Sequence, residues 1–252
     1  MNQEPLVRMV NISKRFGPIW ALKDVNFESF RGEVVGLVGD NGAGKSTLIR
    51  ILTGIHTLTT GEIHFEGKKL ANFSPKIALS LGIETVHQGF GLLPSMTISR
   101  NIFLGEEPVR KVGPFKFIDL NRMKQESNKL LQTIGIMREL HVNIKVGKLS
   151  GGQQQAIKIG RAIYFKAKLV ILDEPTVGLS LRESDRVFEL IGELKKRGIA
   201  VIYITHRIDQ VFDHASRIVV LEGGTKLGEF WKEETSIEEI EEIIRKGHKN
   251  TR

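Results

Sequence analysis

The stretch EVVGLVGDNGAGKSTLIRILTG, from Glu33 to Gly54, constrains the fold more than any other part of the chain. Val34 to Val38 is a short unbroken apolar run, the pattern of a strand buried on both faces. It runs into a glycine-rich turn and then a helix that carries Leu48, Ile51 and Leu52 on one face. Strand, glycine loop and helix open a βαβ unit. Gly39, Gly44, Lys45 and Ser46 fit the spacing G-x-x-x-x-G-K-[ST]. Such a loop, Gly39, Asp40, Asn41, Gly42, Ala43, Gly44, Lys45, Ser46 and Thr47, turns successive N–H groups and a helix N-terminus toward a phosphate chain. Lys45 then adds a charge at the terminal phosphates, and the Ser46 hydroxyl is a ligand for Mg²⁺.

Two further buried runs follow, LVILD from Leu169 and AVIYIT from Ala200. Between them Val187, Leu190, Ile191 and Leu194 recur at helical spacing, so strands and helices alternate as in a parallel sheet wrapped by helices. The fold class expected is α/β, a P-loop parallel-sheet core. An antiparallel β subdomain is expected at its N-terminal side, because Leu6 to Ile12 and Leu22 to Phe30 alternate loosely and Gly17 and Pro18 punctuate them. An inserted α-helical subdomain is expected over about 97–145, where Leu120 to Leu140 looks helical and Glu106 to Phe117 looks like an exposed loop. The α/β core takes about 6–96 and 146–230. From about 235 to 252 an acidic amphipathic helix and tail presents Ile237, Ile240 and Ile244 on one face, which predicts docking on the body.

Asp173 ends a buried strand, where a carboxylate is costly without a cation, and is expected to be a second Mg²⁺ ligand. Glu174 follows at the open end of that strand and is a candidate general base toward the attacking water; a helix-capping carboxylate is the competing reading. These residues define a Mg²⁺-dependent nucleotide hydrolase, and the lack of an N-K-x-D guanine-reading motif favours ATP.

Leu149 to Gln153 reads LSGGQ, upstream of Asp173. With the phosphate loop, this makes the chain resemble the ATP-binding-cassette (ABC) ATPases from about Leu6 to Glu229. The resemblance implies further roles. Phe16 is expected to stack on adenine, a core phenylalanine being the alternative among 13. Gln88 is expected to contact Mg²⁺ or water and sense a membrane partner, and His206 to contact the γ-phosphate. Ser150, Gly151, Gly152 and Gln153 are expected to meet the nucleotide held by a second copy, since one set of motifs and no repeat is present. The other six histidines match nothing in the family pattern. Where the family commonly has S-A-L-D after EPT, this chain has Val177, Gly178, Leu179 and Ser180, with serine replacing the aspartate.

HQGFGLLPSMTISRNIFLGEEP, GGQQQAIKIGRAIYFKAKLVILDEPTVGLS and ITHRIDQVFDHASRIVVLEGG resemble the ATPase subunits of monosaccharide importers, of the ribose, xylose and fructose type, in single-cassette form. This implies a subunit that powers import of a small solute, partnered by transmembrane permease subunits, a solute-binding protein and a second ATPase copy. It also implies a peripheral place on the cytoplasmic face of the cell membrane. An exporter ATPase and a soluble cassette acting on ribosomes or nucleic acid remain alternatives. The +8 net charge, from 37 Lys and Arg against 29 Asp and Glu, is scattered, so nucleic acid is not expected. The chain has no cysteine, which excludes disulfides, thiolate metal sites and thiol nucleophiles. Its longest apolar run, around Ile199 to Ile204, falls far short of the roughly 20 residues of a spanning helix.

Overall fold

The computed structural model describes residues 4–87, 91–135 and 140–250, the last three without their side chains. The first elements in chain order are β1 (Val7–Phe16), β2 (Ile19–Ser29), β3 (Val34–Val38), α1 (Lys45–Leu52), β4 (Thr60–Phe65), β5 (Lys68–Lys69), α2 (Pro75–Ser80) and β6 (Ile83–Val86). Then come α3 (Ile98–Ile102), β7 (Val109–Val112), β8 (Phe115–Ile118), α4 (Leu120–Thr133) and α5 (Gly151–Tyr164). The chain continues through β9 (Leu169–Asp173), α6 (Leu181–Lys196), β10 (Ala200–Thr205) and α7 (Ile208–Phe212). It closes with β11 (Arg217–Glu222), β12 (Thr225–Trp231) and α8 (Ile237–Asn250). They cluster into two compact units, one running to Thr85 with Ala167–Pro175 and everything from Ile191, the other formed by Val86–Lys166 and Thr176–Leu190.

The first unit holds two sheets. One is antiparallel, in the order β2-β1-β4-β5; the other has six strands in the order β12-β11-β3-β10-β9-β6. β3 and β10 are buried along their whole length, as unbroken apolar runs must be when both faces are covered. Val38 pairs with Thr205 and Ile204 with Asp173 in parallel register. The carboxyl ends of β3, β9 and β10 are therefore level, and the residues that follow them emerge at one edge, where open α/β sheets bind ligands. Leu48, Ile51 and Leu52 of α1 share a core with Met9, Val25 and Phe65 of the antiparallel sheet and with Leu37, Ile171 and Ile202 of the parallel one. The helix that begins the phosphate loop's far side is thus anchored by both sheets.

Arg217 is fully buried at the start of β11. Its guanidinium donates to Glu33 at 2.6 Å, to the Glu28 carbonyl at 2.6 Å and to Glu229, and it lies 5.7 Å from the ring centres of Phe30 and Trp231. Every face of this buried cation is matched, which is the condition for tolerating it inside. The tail helix α8 docks on β11, β12 and α7 with Ile240 completely buried. Among the described residues no helix is long and apolar enough to cross a membrane.

In the second unit α3, α4 and α5 pack together, with Ile102, Phe103, Met123, Leu131 and Ile157 buried. Asn101 is buried and its side chain accepts from the Leu93 amide at 2.6 Å and donates to the carbonyls of Leu93 and Thr97 at 3.0 Å, which fixes the loop ahead of α3. Within Glu106 to Phe117, where an exposed loop was expected, the chain forms the hairpin β7–β8, paired from Val109↔Ile118 to Val112↔Phe115. All of its strand residues are exposed, so neither face carries the burial that makes a strand readable.

Candidate active site

The loop after β3 needs its glycines for separate reasons. Gly39 has φ +146° and its added Cβ would lie 2.1 Å from the Leu221 carbonyl oxygen. Gly44 has φ +103°, and a Cβ there would meet Leu22 Cδ2 at 2.8 Å and the Ala21 carbonyl at 2.9 Å. Gly42 has φ +89° with nothing within 4 Å of a Cβ, so it faces open space. Gly44 is also the N-cap of α1 and offers no side-chain hydrogen bond. The first-turn amides of α1 are left without the side-chain acceptor that usually satisfies them.

Lys45 is 8% exposed and arches over this loop, its Nζ donating to the carbonyls of Gly39 at 2.5 Å and Asp40 at 2.9 Å. Burial pushes its pKa down, while Glu174, Asp40, Asp173 and Glu222 pull it back up. Ser46 is exposed and Thr47 half-buried, one residue into the helix beyond Lys45. Uncapped amides, a desolvated ammonium held against carbonyls and a half-buried Asp173 at the neighbouring strand end make a donor set that fits a phosphate chain and its hard cation.

Glu174 has φ +47°, a left-handed backbone outside glycine, and its N–H donates to the Ile204 carbonyl at 3.0 Å. That turn aims the carboxylate back at the end of β10. There it accepts from the Thr205 hydroxyl at 3.1 Å and the His206 backbone N–H at 3.1 Å, and His206 Nδ1 lies 2.6 Å away. The structure therefore brings Lys45, Asp173, Glu174 and His206 to one edge of the sheet. Thr205, which was not singled out, locks Glu174 from one side and also accepts from the Arg207 amide at 3.0 Å. Only the parallel pairing of β9 with β10 makes that contact, so no local signal announces it.

Phe16 ends β1 and is 43% exposed, which removes the core reading. His56, which matched nothing, meets its ring edge-on at 5.3 Å, and Lys14 Nζ lies 4.9 Å from its centre. Gln88 lies outside the described residues.

In the second unit Ser150 caps α5 reciprocally with Gln153: the Gln153 amide donates to Ser150 Oγ at 3.3 Å and the Ser150 amide to Gln153 Oε1 at 3.1 Å. Gly152 is required by packing, since a Cβ would fall 2.8 Å from Glu183 Cβ and Cγ, whereas a Cβ at Gly151 would meet only the tip of Leu179, its Cδ2 at 2.8 Å. Ser180, at the departure from S-A-L-D, starts α6 as a cap: its Oγ accepts from the Glu183 amide at 3.4 Å.

A phosphate loop on a parallel sheet, with carboxylates and a histidine level at the strand ends, defines the P-loop nucleoside-triphosphatase class. The family model described as ABC transporter matches residues 22–177, and the chain belongs to that family as an ATP-binding, ATP-hydrolysing cassette. It is 46% identical over 239 residues to the xylose/arabinose import ATP-binding protein XylG of Sulfolobus acidocaldarius, covering 95% of this chain and 93% of that one. The ribose import ATP-binding protein RbsA of Clostridium tetani is 41% identical over 95% of this chain, which spans 47% of that longer relative. Among solved structures, the ADP conformation of an ATP-binding cassette of an ABC transporter superposes with a TM-score of 0.82 at 29% identity over 96% of both chains. A nucleotide-free cassette from an ABC transporter gives 0.81 at 30% identity, also over 96% of both.

Proposed function

We propose that this chain is the ATPase subunit of a membrane importer for a monosaccharide, working as a head-to-tail pair with a second copy. The observation that carries the sugar reading is likeness over nearly the whole chain to import ATP-binding proteins named for xylose/arabinose and fructose, at 46% and 40% identity. Its partners are transmembrane permease subunits and a solute-binding protein, and its place is peripheral, on the cytoplasmic membrane face.

In this reading Phe16 stacks on adenine, and the amides from Gly39 to Thr47 with Lys45 hold the phosphates. Ser46, Asp173 and Gln88 hold Mg²⁺, which when bound neutralises charge on the transferring phosphoryl group. Glu174 takes the proton of the attacking water as its oxygen bonds to the γ-phosphorus and the bond to the β-bridging oxygen breaks. His206 and Thr205 hold that carboxylate in place, and His206 contacts the γ-phosphate. Ser150, Gly151, Gly152 and Gln153 of the second copy close the site from the far side and exclude water.

A tagged pull-down from native membranes in mild detergent tests the importer. A multi-spanning permease with a sugar-loaded binding protein is expected. Recovery only in the soluble fraction with ribosomes or nucleic acid would overturn it.

A further inference from the structure

Ser150 and Gly152, the donors expected to close on the γ-phosphate of the second copy, already have an anion within their own chain. Glu183, in the first turn of α6, accepts from the Gly152 amide at 3.1 Å through Oε1, and the Ser150 hydroxyl is the largest influence lowering the pKa of the same carboxylate. Its other oxygen accepts from the Ser180 amide at 3.1 Å and the Ser180 hydroxyl at 2.9 Å. The methylenes of Glu183 lie flat on Gly152, 2.8 Å from where a Cβ would stand, so only glycine lets the carboxylate reach that amide. These interactions, Ser150 first and then Ser180 and Gly152, hold the carboxyl at about 2, so it is an anion at any working pH. A carboxylate and a phosphate oxygen compete for the same N–H and O–H donors, and like charges brought together repel.

We propose that Glu183 is an intrachain placeholder for the γ-phosphate: it occupies the Gly152 amide beside Ser150 in the separated chain and must yield it for two chains to close. Its anchor is Ser180, at the position where the family commonly has aspartate, so the departure in this segment holds the placeholder in reach. Glu183 sets the ATP level at which the dimer forms and leaves the chemical step to Glu174. The inference rests on the composite-site reading above.

The test uses the full chain carrying Glu174→Gln, so that hydrolysis does not reopen the dimer. Size-exclusion chromatography across an ATP–Mg²⁺ titration reads the concentration at half-dimerisation. Adding Glu183→Gln, which keeps shape and removes charge, is expected to lower it about tenfold, because charge-assisted hydrogen bonds are roughly twice as strong as neutral ones. Glu183→Asp, whose shorter arm retreats from Gly152 while keeping Ser180, is expected to move the midpoint the same way and serves if the first variant does not fold. A capping residue with no competing role would shift the midpoint upward or not at all, and either result overturns the placeholder. A parent variant that never dimerises with ATP would overturn both the composite site and the inference; an ATP-dependent parent dimer unaffected by Glu183 would overturn the inference alone.

Discussion

The phosphate loop and the signature loop are both glycine turns that begin a helix, yet they treat their free amides in opposite ways. α1 starts at Gly44 with no side-chain acceptor, and its lysine is the group that folds over the loop. α5 starts with a reciprocal Ser150–Gln153 cap, and its Gly152 amide is taken by Glu183. One turn withholds acceptors and so presents donors to an incoming phosphate; the other carries its own anion. Two glycine-rich helix starts in one chain can thus differ in whether binding fills an open site or displaces an occupant. In the first case affinity is set by fit, and in the second by the difference between two anions.

The comparison can be broken most severely at Lys45. Lys45→Ala removes the cation that reaches the carbonyls of Gly39 and Asp40, and ATP turnover is expected to fall below detection, with loss of the rise in Tm on adding ATP. Normal turnover would remove the phosphate loop from the mechanism. Next in size is Glu174→Gln, which keeps the size of the side chain but cannot take a proton. Single-turnover hydrolysis should slow by about 10²–10⁴-fold while ATP still binds. A wild-type rate would mean that another group is the base.

A smaller effect is expected from Gly152→Ala, whose methyl would sit 2.8 Å from Glu183 Cβ and Cγ. Overpacking of this kind costs about 1–3 kcal/mol, measurable by urea unfolding. An unchanged midpoint would show that Glu183 does not lie on the signature backbone. The smallest concerns acid. A carboxyl at about 2 against an ordinary 4.5 contributes stability that is full above about pH 4.5 and lost as pH falls through 2. Glu183→Gln should flatten the fall of Tm over that window; an identical acid slope would remove the hydrogen bonds from account.

The parallel core was legible because Val34–Val38, Leu169–Asp173 and Ala200–Thr205 are buried runs whose ends carry the chemistry. The tail helix was legible from its isoleucine spacing. The hairpin β7–β8 was not, although its turn repeats one read correctly elsewhere: Gly17–Pro18 and Gly113–Pro114 each link paired strands, with glycine φ of +56° and +60° at the first turn position. The first pair stood between strands with a buried face and the second between strands with none. At the site, the nucleotide motifs could be found as local strings. Thr205 and the hold of Glu183 on Gly152 could not, because each joins residues 31 apart. The Ser180–Glu183 spacing was a readable helix-start signal, but it does not say what else the glutamate touches.

The phosphate loop is hung on β3, whose two neighbours are β10 and β11. As the chain leaves the ribosome, Val34 to Val38 and the loop after them are made before either flanking strand, since β10 is complete only at Thr205 and β11 only at Glu222. β3 therefore waits, an apolar segment with both hydrogen-bonding edges unpaired until β10 emerges and one edge unpaired until β11 does. Closing so long a loop is entropically slow, and such exposed edges are where misassembly starts. The most recognisable stretch of this protein is made well before the strands that give it its shape, so a truncated product ending before β10 would carry the motif without the site.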